Sequence, residues 1–181
     1  LAVPQHMVHP PRPRCVLNVG FTGHRADRLT AAHAVSVKAQ VDQALRLIAE
    51  AVRDIHLKGA SWFTGEAPEL RAISALAEGA DRLCAEAALA QGYRLDCPLP
   101  FAADIYMADF AEGPSREAFR ALCGRADRIL ELPGDRANEP AAYAMAGSAI
   151  LGSADILIAI WDGKGSGGRG GLSNLYGPAL R

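Results

Sequence analysis

A three-layer α/β/α sandwich around a mainly parallel, Rossmann-like sheet is the fold class this sequence predicts, and three observations carry the prediction. Short apolar runs alternate with stretches of helical periodicity between Cys15 and Ile160. The first helical stretch is long enough to be the crossover that two parallel strands need. The 181 residues, half of them apolar, suffice for one domain with a proper core and not for two.

Leu1 to Pro13 holds four prolines and two histidines and no uninterrupted apolar core, so it is expected as a disordered lead-in to a single domain over residues 14–181. Cys15 to Val19 fits a buried strand, followed by the loop Gly20-Phe21-Thr22-Gly23-His24-Arg25. Thr30 is placed to cap a helix reaching about His56 or Leu57, with Gly59 as its stop. Val37, Val41, Ala44, Leu45, Ile48, Val52 and Ile55 recur at helical spacing and mark its buried face. Gly65 and Pro68 interrupt the segment Ala60 to Ala72, which leaves a loop or short edge piece before a second core strand over Leu70 to Leu76.

Ala77-Glu78-Gly79-Ala80-Asp81 then opens into a helix from Asp81 to Gln91, ended by Gly92. Tyr93 to Leu99 is the third strand, terminated by Pro98 and Pro100. Ala102 to Gly113 supplies one or two helical turns, and Ser115 caps a further helix to about Arg125. Arg128 to Leu132 is the fourth strand, and Pro133-Gly134 turns toward a helix that begins at Pro140 and reaches about Leu151. Ile156 to Ile160, five consecutive apolar residues, is the plainest buried strand in the chain.

Composition excludes several roles. A net charge of -1 gives no general attraction to nucleic acid or to an anionic membrane. No stretch approaches the roughly 20 apolar residues that span a bilayer. Cysteines 15, 84, 97 and 123 form no CxxC pair and have no histidines clustered about them, so neither zinc nor another metal is expected. Placed in strands and helices they suit small buried hydrophobes in a reducing cytoplasm.

In a parallel α/β sheet the loops after the carboxyl ends of the strands line the ligand crevice. Three loops here have the composition for it. Thr22, His24 and Arg25, in one loop with Gly20 and Gly23, offer donors suited to phosphate or ribose. Gly79-Ala80-Asp81 begins a helix, where unpaired amides and the dipole favour an anion. Residues 163–171 hold six glycines with one lysine and one arginine, a backbone able to wrap a phosphate. Each has a plainer explanation alone: a surface turn, a helix cap, a linker. No GxxxxGK[ST] P-loop occurs, and no GxGxxG follows the first strand; Gly163-Lys164-Gly165-Ser166 lacks the upstream glycine.

The segments Val19 to Arg25, Ser74 to Arg82, Pro100-Phe101 and Ser153 to Gly163, followed by the glycine run, resemble in order and spacing the SLOG superfamily. That is the Rossmann-like nucleotide-binding group of the DprA/Smf, YpsA-like and LOG proteins, and the likeness spans about Val16 to Gly171. The resemblance implies a pocket with Gly20, Thr22, Gly23, His24 and Arg25 on one side and Ser74, Gly79, Ala80 and Asp81 in a second loop. Gly163, Gly167, Gly168, Gly170 and Gly171 would cradle phosphate, and Pro100 and Phe101 would wall the base or sugar. The family continues its last loop as Gly-Gly-Thr into a helix and a further strand. Here Leu172-Ser173 follows Gly171 and the sequence ends at Arg181, so that strand is expected to be missing. The PGGxGTxxE pattern of the LOG hydrolases is absent, with Leu175 where its Glu would fall.

The expectation is therefore a bacterial, cytoplasmic sensor domain that binds a nucleotide or nucleotide-derived small molecule, without a further cofactor. The alternative is a hydrolase or transferase at an N-glycosidic bond, with Asp81 or Glu78 as nucleophile or base beside His24. A single-stranded DNA partner is disfavoured by the near-neutral charge. Rossmann-like sheets commonly pair through a helix face, so a homodimer is a reasonable prior for the assembly.

Overall fold

The computed structural model describes residues 10–25, 29 and 31–161. Over them the chain runs β1 (Val16–Gly23), α1 (Ala31–Lys58), β2 (Glu69–Ile73), α2 (Ala80–Ala90), β3 (Arg94–Leu99), α3 (Ala103–Met107), α4 (Pro114–Cys123), β4 (Arg128–Glu131), a 3-10 turn (Arg136–Asn138), α5 (Glu139–Ser153) and β5 (Ile156–Ile160). The five strands form one sheet in the order β4-β3-β2-β1-β5, and every pairing is parallel. Helices cover both faces, which makes the fold the expected Rossmann-like sandwich. The strand order steps outward from β1 to β4 and then returns to the far side of β1. That reversal is a topological switch point, between the carboxyl ends of β1 and β5.

Successive residues of a strand face opposite layers. Val19 and Phe21 of β1 enter the main core with Val41 and Leu45 of α1, Cys84 and Ala88 of α2, and Leu95, Cys97 and Leu99 of β3. Four buried alanines, Ala80, Ala85, Ala87 and Ala88, leave α2 slim enough to lie close on the strands. Tyr93, just after it, donates its hydroxyl to the Leu45 carbonyl at 2.7 Å and ties α1 to this layer. Gly20 faces the other layer. A Cβ there would lie 2.8 Å from the Cβ of Ala154 and 2.9 Å from Ile150, so its lack of a side chain lets α5 seat on β1. An aromatic cluster of Phe101, Tyr106, Phe110 and Phe119 closes the core at the end of the sheet where α3 and α4 lie.

Several boundaries depart from the sequence expectation. β1 does not stop at Val19: Gly20 through Gly23 pair with Leu157 through Ile160, so the glycines belong to the strand. Parallel pairing and close helix packing outweigh glycine's weak strand preference. β5 itself is half-exposed, with Ile156 38% accessible, because among the described residues it is an edge strand. β4, the opposite edge, is exposed along its length. Ile55 is 56% exposed, at the margin of the stripe that Val41, Leu45, Ala49 and Val52 bury. Ser115 is not a cap; Gly113 holds that position for α4. The lead-in is fixed at its end, where Arg12 donates to the Ala60 carbonyl and Thr64 to that of Pro13. Thr30 and residues 1–9 lie outside the described residues.

β2 is poor in apolar residues because two of its five positions are buried ions. Arg71 Nη1 donates to both oxygens of Asp96 on β3 at 3.0 Å and the guanidinium also pairs with Glu69. Glu69 also pairs with Arg14 at 2.7 Å and with Arg94 at 3.5 Å. Burial works to raise the Glu69 carboxyl, but the bond and charge of Arg71, with Arg94 and Arg14, outweigh it and hold the group below the usual carboxylate range. Burial likewise works to lower Arg71, and Asp96 and Glu69 more than reverse it. The four cysteines are free thiols. No helix among the described residues is long and apolar enough to cross a membrane.

Candidate functional site

At the switch point the backbone of one residue joins three elements. His24 N–H donates to the Ile160 carbonyl of β5 at 3.1 Å, and its own carbonyl accepts from Ala80 N–H, the start of α2, also at 3.1 Å. Gly23 permits this approach: a Cβ would stand 2.6 Å from that of Ala80 and 2.8 Å from the Ile160 carbonyl oxygen. The close neighbour that the glycine admits is thus the protein's own helix and strand.

The turn from β2 into α2 is tightly braced. Ser74, fully buried, donates through Oγ to the Asp81 carbonyl and accepts from Leu76 N–H, both at 3.2 Å. Leu76 is buried with φ +58°, a left-handed backbone uncommon outside glycine, and Gly79 follows at φ +102°. Arg82 holds the strained turn by donating Nε to the Leu76 carbonyl at 2.9 Å. Its Nη1 donates to the Ser115 carbonyl at 2.9 Å and to Ser115 Oγ at 3.0 Å, and Ser115 Oγ donates in turn to Glu78 Oε1. The guanidinium lies 4.1 Å from the centre of the Phe110 ring, and its buried Nη2 has no hydrogen-bond partner among the described residues.

In front of this turn lies a cleft of about 30 Å³, lined by Arg25, Glu78, Tyr106, Asp109, Phe110 and Tyr143, with Ala77 at its base. Tyr143 of α5 donates its hydroxyl to Asp109 Oδ2, and Arg136 donates to Oδ1 at 2.6 Å. Arg25, exposed, sits over the Tyr143 ring at 5.2 Å. The void has room for one or two water molecules, so a larger ligand requires a lining side chain to yield, and Arg25 is exposed.

Asp81 stands behind the cleft in the first turn of α2, 9% exposed. Burial pushes its carboxyl up, and the Ala77 N–H and the charges of Arg25 and Arg82 offset this only in part, leaving it at about 7. Burial also raises the Tyr143 hydroxyl, helped by its bond to Asp109.

The structure brings Gly23, His24, Gly79, Ala80 and Asp81 together at the switch point and places Arg25 on the cleft. Thr22 is half-buried in β1 opposite Ala159. Gly20 lies under α5, and Ser74 is spent on the brace. Pro100 and Phe101 are fully buried; the Phe101 ring meets Tyr143 edge-on at 5.8 Å and supports the cleft from behind. Gly163, Gly167, Gly168, Gly170 and Gly171 lie outside the described residues. Tyr106, Asp109, Phe110, Arg136 and Tyr143 are site residues the sequence reading did not single out. The available signal was Tyr106 and Phe110 one turn apart with an acid between them.

A larger groove, about 280 Å³, lies on the α5 face of the sheet beside Asn18, Asp96, Pro98 and Arg128. Its carboxylate is already committed to Arg71, and it runs along the sheet face rather than among the loops beyond the strands, so the smaller cleft is the candidate site. No family model matches this chain, and no curated protein matches it.

Proposed function

We propose that the cleft beyond the carboxyl ends of β1, β2 and β3 binds a nucleotide or nucleotide-derived small molecule, as a sensor domain of the SLOG type. The observation that carries this reading is the meeting of Arg25, Glu78 and Tyr143 on one cleft beyond the carboxyl ends of a parallel sheet. A guanidinium suits a phosphate, carboxylates accept from sugar hydroxyls, and aromatic faces take a base or a sugar ring.

Calorimetric titration with nucleoside monophosphates tests the reading. Arg25→Ala is expected to weaken binding about tenfold, the worth of one charge-assisted hydrogen bond, and to leave the thermal midpoint in place because Arg25 is exposed. Absence of binding by every nucleotide tried defeats the proposal.

The second reading, N-glycosidic hydrolysis or transfer, is favoured by Asp81. A carboxyl near 7 is poised to hand a proton to a departing base. It ranks second because Asp81 lies behind the cleft lining. Release of free base from a bound nucleotide would promote it.

A further inference from the structure

We infer that the outward face of α5 is where two copies of this chain meet. The helices lie antiparallel across a two-fold axis at Ser148, and Met145 of each copy enters the groove beside the other's α5. The inference is independent of the nucleotide reading.

Topology leaves this face of the sheet thinly covered. The connections from β1 through β4 all step the same way, so right-handed crossovers put α1, α2 and the α3–α4 segment on one side. The return to β5 puts α5 on the other, the only helix there among the described residues. Beside its second half the sheet stays open as the groove of about 280 Å³. Ala149 and Ser153 of α5 border that groove, with Ile73, Pro98 and Leu130 on the strands.

The helix is composed for burial on every side. Pro140 to Ala154 contains no charged residue. Ala142, Ala146 and Ile150 are buried against the sheet, yet Ala141, Met145, Ser148, Leu151 and Gly152 are exposed. The exposed sides of the other long helices differ: α1 carries Arg46, Glu50 and Arg53 there, and α4 carries Glu117 and Arg120. A helix apolar all round belongs in an interior, and α5 has one on a single side.

A second copy is the occupant because the face complements itself. An isologous contact needs projections and hollows on the same patch. Met145 and Leu151, 39% and 40% exposed, project, and the groove is the hollow. At about 100° per residue, Met145 lies on the same flank of α5 as Ala149 and Ser153, the flank that borders the groove. A two-fold axis at Ser148 sets Met145 level with the partner's Leu151, midway between the partner's Ala149 and the partner's Ser153. Gly152, with open space where a Cβ would stand, lets the helices approach. The antiparallel arrangement also brings the positive amino end of each α5 to the negative carboxyl end of the other. With no charge on the stripe, nothing there selects a charged partner. The contact runs along about 22 Å of helix, at the small end of specific interfaces, so a dissociation constant of micromolar order is expected.

Sedimentation equilibrium of the intact chain is the test. Wild type is expected as a dimer at about 100 μM that dissociates below about 1 μM. Met145→Glu should weaken the dimer at least about tenfold while circular dichroism shows the fold retained, since the side chain is exposed. Leu47→Glu, at an apolar residue of α1 that is 57% exposed, should leave the dimer as it is. Ser148→Cys treated with diamide should give a disulfide-linked dimer that wild type does not. A wild type that is monomeric throughout overturns the inference and leaves the face to another protein or to other residues of this chain. A dimer that survives Met145→Glu, or that Leu47→Glu dissociates, overturns it equally. Should Met145→Glu fail to fold, the Ser148→Cys cross-link decides alone, and its absence is fatal.

Discussion

The Glu69–Arg71–Asp96 ladder and the cleft of Arg25, Glu78 and Asp109, with Asp81 behind it, are built from the same side-chain types, and they behave in opposite ways. In the ladder each ion has a partner across the sheet face. Burial, which would neutralise Glu69, is overcome by Arg71, and the carboxyl is held low. Behind the cleft burial prevails, and Asp81 is held near 7 although two guanidinium charges act on it. A buried acid that is half-protonated at neutrality stabilises the fold less there than it does in acid. Groups of that kind gather at working sites, whereas balanced ladders belong to the scaffold.

Asp81→Asn probes the unbalanced side and carries the largest expected effect. The folded-state carboxyl, at about 7, lies above its ordinary value of 3.8, so the native state binds the proton more tightly than the unfolded chain. Stability from this group is then fully present below about pH 4 and is lost as pH rises through 7. Roughly three pKa units correspond to about 4 kcal/mol, most of it disappearing between pH 4 and 7. Urea denaturation should show wild type weakening relative to Asp81→Asn between pH 5 and pH 8. Parallel pH profiles for the two proteins would mean that Asp81 is not held near neutrality.

Arg71→Met probes the balanced side. Removing the cation leaves Glu69 and Asp96 facing one another with their main partner gone. A loss of about 3 kcal/mol is expected, the low end for a broken buried pair because the adjoining groove admits water. Nucleotide affinity should be unchanged in the folded variant. A denaturation midpoint equal to wild type would show the ladder to be solvated and erase the contrast from the structural side.

Much of this architecture was legible from pattern. The periodicity of α1, the turn residues before α2 and the apolar runs at β1, β3 and β5 each reflect a local preference that the tertiary fold respects. What pattern could not show was which neighbour a glycine admits. Gly23 accommodates α2 and β5, and Gly79 is needed by its φ of +102° whatever ligand arrives. Apolar content misled at β5, because an edge strand can be as apolar as a central one. The cleft was half legible. Arg25 and Asp81 stand in loops whose composition points to a site, while Tyr106, Asp109 and Tyr143 lie in stretches that read as ordinary helix. Their convergence depends on α5 starting at the corner where α3 ends, which no local window contains.

The smallest expected effect falls on the cleft's own polar contacts. Tyr143→Phe removes the hydroxyl that donates to Asp109, but Asp109 keeps Arg136 at 2.6 Å, and the ring keeps its place beneath Arg25 and against Phe101. One hydrogen bond at a partly exposed rim contributes about 0.5–1 kcal/mol. The variant should therefore unfold within about 1 kcal/mol of wild type, well short of Arg71→Met. If Tyr143→Phe instead costs as much as breaking the ladder, the cleft's bonds hold the fold together as the ladder's do. Its charges would then be scaffold, and the case for a ligand there would lose its physical basis.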